Sequence, residues 1–230
     1  MNISRTTREY RRLTTPRAAA VAGILFGLLF AASLALMRGA IPEGITTDIT
    51  WVTTGSTQIN LALGLMPFAS IAYLWFIGVV RDNLGEFEDR FFSTVFFGSS
   101  LLFLAMVFVS MAIAGGIMVT YRMISGETTD YTVIYFGRAV MLQISNVYAL
   151  RMAGITMTSL ATIWMRTALV PRWLTVLTFL LAFVLLVVVN FSLWITLIFP
   201  VWVFSINKSA SSGKKASLAP HVGISLYGLM

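Results

Sequence analysis

Arg151 is the residue whose type and position most demand a chemical reason. It lies 13 residues after Arg138 and 15 before Arg166 in the apolar stretch Val133–Met165. As a helix, that stretch carries it about 20 Å from either neighbour and close to mid-membrane. A guanidinium there costs about 2.5–3.5 kcal/mol on insertion scales, so bare lipid is a poor environment for it. At 100° per residue, Gln143, Val147, Arg151, Gly154, Thr158 and Thr162 share one arc of the helix, and Asn146 completes the candidate polar site. Three roles fit such a cation: fastening a helix bundle through carbonyls and water, binding or passing an anion, and pairing with a partner subunit. Neutral partners on other segments would be Asn60, Ser70, Ser99, Ser110 and Asn190, or the carbonyl that Pro67 frees.

A second group of ionisable residues is the turn Arg81–Arg90, RDNLGEFEDR, with Asp82, Glu86, Glu88 and Asp89. Its acids lack the ligand spacing of a calcium loop, so they read as a solvated turn whose carboxylates can meet Arg166 and Arg172. No other constellation supports chemistry. The apolar stretches hold no Asp, Glu, His, Lys or Cys, and the one histidine, His221, falls near the C-terminus. Carboxylate proton relays, a retinal Schiff base, histidine-held haem, zinc hydrolysis and a Ser–His dyad all lack their essential group. Gly115-Gly116 is not followed by the Lys-Ser/Thr of a nucleotide loop and reads as a close helix contact. The expectation is a protein without catalytic machinery, cofactor or metal.

The elements that position these residues follow from composition. Of 230 residues, 58% are hydrophobic and 11% charged, with a mean hydropathy of +0.86. Soluble domains are about 25% charged, so the excess apolar surface requires lipid. The net charge of +7 would suggest nucleic acid in a soluble protein. Here the basic residues flank apolar runs instead of forming one patch, which excludes that class of partner.

Spans are predicted at Ala18–Met37, Ile59–Val80, Phe91 to about Thr120, and Val133–Met165. The final stretch, Trp173–Ile206, has 34 residues and would overshoot the bilayer as one helix. Asn190-Phe191-Ser192 at its midpoint suggests a hairpin of two short spans, giving six. With both termini cytoplasmic, 12 of the 16 basic residues lie inside, whereas five spans would leave only nine there. The fold expected is therefore an all-α bundle of six transmembrane helices over residues 18–206. A basic cytoplasmic segment, 1–17, would precede it and a flexible cytoplasmic tail, 207–230, would follow. Gly64, Gly78, Gly98, Gly115, Gly116 and Gly154 are the expected points of close helix approach. Trp51, Tyr121, Tyr131, Tyr135, Trp164 and Trp173 fall near expected interfaces.

The run FIGVVRDNLGEFEDRFFSTVFFGSSLLFLAM, Phe76–Met106, is similar to a pattern of small, uncharacterised bacterial multi-pass membrane proteins, as are YALRMAGITM, Tyr148–Met157, and Pro171-Arg172-Trp173-Leu174. The resemblance covers about the middle two thirds of the chain. It implies that Arg151 and the acidic turn belong to that pattern, and it implies no activity. The reading is an inner-membrane, multi-pass bacterial protein whose partners are the bilayer and either further copies of itself or another membrane subunit. The functional expectation is an accessory or self-associating membrane subunit; the alternative is a channel or transporter for a small anionic or polar solute with Arg151 in the path.

Overall fold

The computed structural model describes residues 16–42, 48–84, 90–123, 131–167, 170–187 and 197–203. Among them every regular element is helical: α1 (Pro16–Ala40), α2 (Thr50–Thr54), α3 (Ser56–Leu84), α4 (Arg90–Met123), α5 (Thr132–Gln143), α6 (Leu150–Thr167) and α7 (Arg172–Val187). A π-helical segment, Ile144–Ala149, joins α5 to α6 without a break, so the two act as one long element. The segment 1–15, the turn 85–89 with Glu86, Glu88 and Asp89, Asn190, and the tail 204–230 lie outside the described residues.

Among the described residues, four elements are long and apolar enough to cross a membrane: Val21–Ala40, Ser56–Arg81, Phe91–Met123 and Thr132–Thr167. Each overlaps a span expected from the sequence. Pro42 follows α1 where the helix cannot continue. Pro67 lies inside α3 yet the helix runs on to Leu84. Membrane helices tolerate such a proline because neighbours re-satisfy the freed backbone.

The last apolar stretch is not one helix. α7 covers Arg172–Val187 at the start of that stretch. Trp202 Nε1 donates to Thr178 Oγ1 at 2.9 Å. On a straight helix those residues would be about 36 Å apart. Residues 197–203 therefore lie beside α7.

α1 packs along α3, α4 along α5, the π segment and α6, and α6 against α7. At the centre is an aromatic cluster drawn from four elements. Phe26 of α1 meets Tyr73 of α3 with centroids 4.6 Å apart, and Phe103 of α4 meets Phe199 at 4.7 Å. Such pairs contribute about 0.5–1.5 kcal/mol beyond area burial, which matters in lipid because apolar burial itself drives little. The outer surface is apolar as well: Phe68, Trp75, Phe136 and Phe183 are each more than half exposed. That inversion is what a lipid-facing surface requires.

Only one of the six glycines expected at helix contacts makes a tight one. A Cβ on Gly154 would lie 2.9 Å from Leu186 Cγ and 3.2 Å from the Ala182 carbonyl, so α6 and α7 touch there. Gly64, Gly78, Gly98 and Gly116 have nothing within 4 Å of an added Cβ, and Gly115 has only Leu63 at 3.7 Å. The close contact of Gly137 with Ile117, at 3.1 Å, is not visible in the sequence pattern.

Candidate functional site

α6 is amphipathic in an unusual sense. Ala153, Gly154, Thr156, Met157, Ser159 and Leu160 are turned inward, and Arg151 is exposed on the outward side. Its depth follows from its neighbour. Leu150 lines an inner recess with Phe30 and Phe103, which lie near the middle of α1 and α4. Arg151 is also the twentieth of the 36 residues of Thr132–Thr167. It is thus an outward cation near mid-span. Among the described residues it makes no hydrogen bond or ion pair.

The other members of the expected polar stripe divide into two groups. Gln143 is exposed like Arg151, whereas Thr158 and Thr162 are half-buried with their hydroxyls committed to their own helix. Thr158 donates to the Gly154 carbonyl and Thr162 to the Thr158 carbonyl, both at 2.9 Å. Asn146 leaves the stripe altogether: its Oδ1 accepts from Arg38 Nη2 at 2.6 Å, tying the π segment to the last turn of α1. Among the described residues, none of the neutral side chains expected to meet Arg151 bonds to it, and Asn190 lies outside them. Ser70 donates to Met66 and Ser110 to Met141, Ser99 bonds Thr156, and Asn60 is exposed.

A second polar region was not legible as a site. Between α1, α4 and the π segment runs a crevice with about 360 Å³ of empty space including its open mouth. Arg38, Ser110 and Ser145 supply its polar atoms, and Leu34, Met37 and Met111 most of its apolar wall. An inner recess of about 280 Å³ shares Leu34, Ser110, Met111 and Ser145 with it and reaches Phe103. At the same end Arg138 is buried inside its span and donates to the Pro42 carbonyl. π segments recur at functional sites because the extra residue redirects side chains. Here it directs Asn146 toward Arg38.

The third feature is a knot of hydroxyls. Thr156 is within donating distance of the Met152 carbonyl at 2.9 Å and Ser99 of the Phe96 carbonyl at 3.1 Å, and the two hydroxyls lie 2.9 Å apart in a hydrogen bond across the α4–α6 contact. Ser100 lies 3.5 Å from the same Thr156 oxygen. The Tyr73 phenol is buried beside them without a hydrogen bond of ordinary geometry, although Ser100 and Thr156 are close enough to interact. These groups hold helices together.

Of the acidic turn, Asp82 belongs to the last turn of α3, and its companions lie outside the described residues. Of the two basic residues expected to meet those acids, Arg166 rests over the Phe92 ring, 4.7 Å from the centroid, and Arg172 is exposed; Arg81 rests over Phe97 at the same distance. Outside the membrane, Asp48 is held below the usual carboxylate value by the Thr50 backbone N–H and then by its hydroxyl. Among the described residues the arrangement offers cations and hydroxyls at helix contacts and, near mid-span, the outward guanidinium of Arg151. No protein family, curated protein or solved structure matches the chain.

Proposed function

We propose that this chain is a non-catalytic subunit of a lateral assembly in a bacterial inner membrane. One observation carries the reading: Arg151 stands exposed near the middle of Thr132–Thr167, the least apolar of the four long spans, and among the described residues it has no hydrogen bond or ion pair within its own chain. A lone chain in lipid would turn such a side chain inward, since polar side chains in the hydrocarbon face protein or water. Another protein surface is the cover that makes the arrangement stable.

The topology that goes with this reading has six crossings and cytoplasmic termini, α7 and the segment through 203 making a short hairpin. A reporter fused after Lys215 is then active on the cytoplasmic side.

The assembly is tested by extracting the native chain with its lipids in polymer-bounded discs and measuring the mass of the protein in each disc. The expected result is a protein mass well above 25.3 kDa, falling to that of one chain for Arg151→Leu. A single chain per disc for the native protein would refute the reading. Passage of a small anion past Arg151, the alternative reading, would require a path between the chain and its neighbour, because the guanidinium faces out of the chain.

A further inference from the structure

The geometry points to the chemistry of the neighbour: a different membrane polypeptide that presents an aspartate or glutamate near mid-membrane to Arg151. This rests on the lateral-assembly reading and goes one step past it, because it excludes a second copy as the source of the counter-charge. The nine acidic residues of the chain are Glu9, Glu43, Asp48, Asp82, Glu86, Glu88, Asp89, Glu127 and Asp130. None falls in any of the four long spans, in α7 or in 197–203. A copy docked on the outward face of α6 can therefore offer Arg151 hydroxyls, amides and rings, and no carboxylate.

Lipid is the other local source of negative charge. A headgroup lies about 15 Å from the bilayer centre, half of a core about 30 Å thick. Leu150, next to Arg151, is level with Phe30 and Phe103 in the middle of the bundle. An arginine stem is much shorter than that distance, so snorkelling from this depth leaves the guanidinium in hydrocarbon. Arginine suits a carboxylate partner because its planar fork donates two parallel hydrogen bonds. Tyr148, half exposed one turn away, and Gln143, exposed on the same element, supply polar groups around the contact.

The probe is a designed single-span apolar peptide with one aspartate at its centre, compared with versions bearing asparagine or leucine there. Association with the full-length chain is followed by energy transfer in neutral phosphatidylcholine vesicles. The aspartate peptide is expected to bind about tenfold more tightly than the leucine peptide, and Arg151→Leu to erase the difference. Arg151→Glu should lose the aspartate peptide and gain one with a central lysine, a swap that a merely unfolded variant would not produce. Equal binding of all three peptides, or failure of the swap, overturns the inference. So does a disc assembly of the native protein that contains this chain alone. A heavier-than-monomer disc with no charge preference sinks the acidic partner and leaves the assembly standing, whereas one chain per disc sinks both.

Discussion

The indole N–H of Trp202 donates to the hydroxyl of Thr178 at 2.9 Å, and that hydroxyl in turn donates to the Leu174 carbonyl at 2.8 Å. This relay fastens residues 197–203 to α7 at a point where both groups are buried. It also brings Phe199 into the aromatic cluster beside Phe26 and Tyr73. Trp202→Phe keeps a ring in place and removes the donor, and Thr178→Val removes the acceptor. A double-mutant cycle on thermal or denaturant unfolding is expected to give a coupling of about 0.5–1.5 kcal/mol. Additive effects would mean that the relay does not hold the two segments together.

Gly154 sets the distance between α6 and α7. Gly154→Ala places a methyl 2.9 Å from Leu186 Cγ and 3.2 Å from the Ala182 carbonyl, and backbone cannot yield as a flexible side chain does. The expected loss is about 1–3 kcal/mol. Gly98→Ala, with nothing within 4 Å, should instead be neutral or gain up to about 1 kcal/mol from reduced backbone freedom. Thermal unfolding of the two variants in one detergent decides the matter; equal shifts would contradict the contact.

Asp48 gives a pH signature to the segment before α2. Its folded carboxyl lies below its ordinary value because Thr50 donates to it twice, so the contact is present above the unfolded value and fades as pH falls through the folded one. Replacing Thr50 by valine removes only the hydroxyl. The Asp48 titration observed by NMR should then move upward part of the way, since the backbone N–H remains. An unchanged titration would remove the hydroxyl from the explanation.

Much of the fold is legible in the sequence, because apolar runs of membrane length leave few alternatives. Ile59–Val80 lies inside α3, and Val133–Met165 inside the α5–α6 element. The reversal within the last apolar stretch is legible for the same reason: a helix of 34 residues does not fit the bilayer. What the pattern does not carry is the azimuth of each helix. The arc through Gln143, Val147 and Arg151 assumes 100° per residue, and the π segment between Gln143 and Leu150 breaks that assumption. Asn146 consequently meets Arg38 across the crevice. Nor does spacing say which glycines touch a neighbour: Gly154 does, because α7 comes within its reach, and Gly64 does not. The candidate cation was visible because it is isolated in an apolar run. Its outward direction was not, since that depends on which face of α6 the hydroxyls of α4 and the side chains of α7 occupy.

The central claim is that another protein covers the outward face of α6 in the membrane, and crosslinking in intact cells tests it most directly. A photoreactive benzoylphenylalanine at Tyr148, half exposed and one helical turn from Arg151, reports whatever lies against that face. The account predicts an adduct to a second polypeptide, well above the 25.3 kDa of this chain, that disappears with Arg151→Gln. Adducts to lipid alone, with the chain remaining at its own mass, would contradict it.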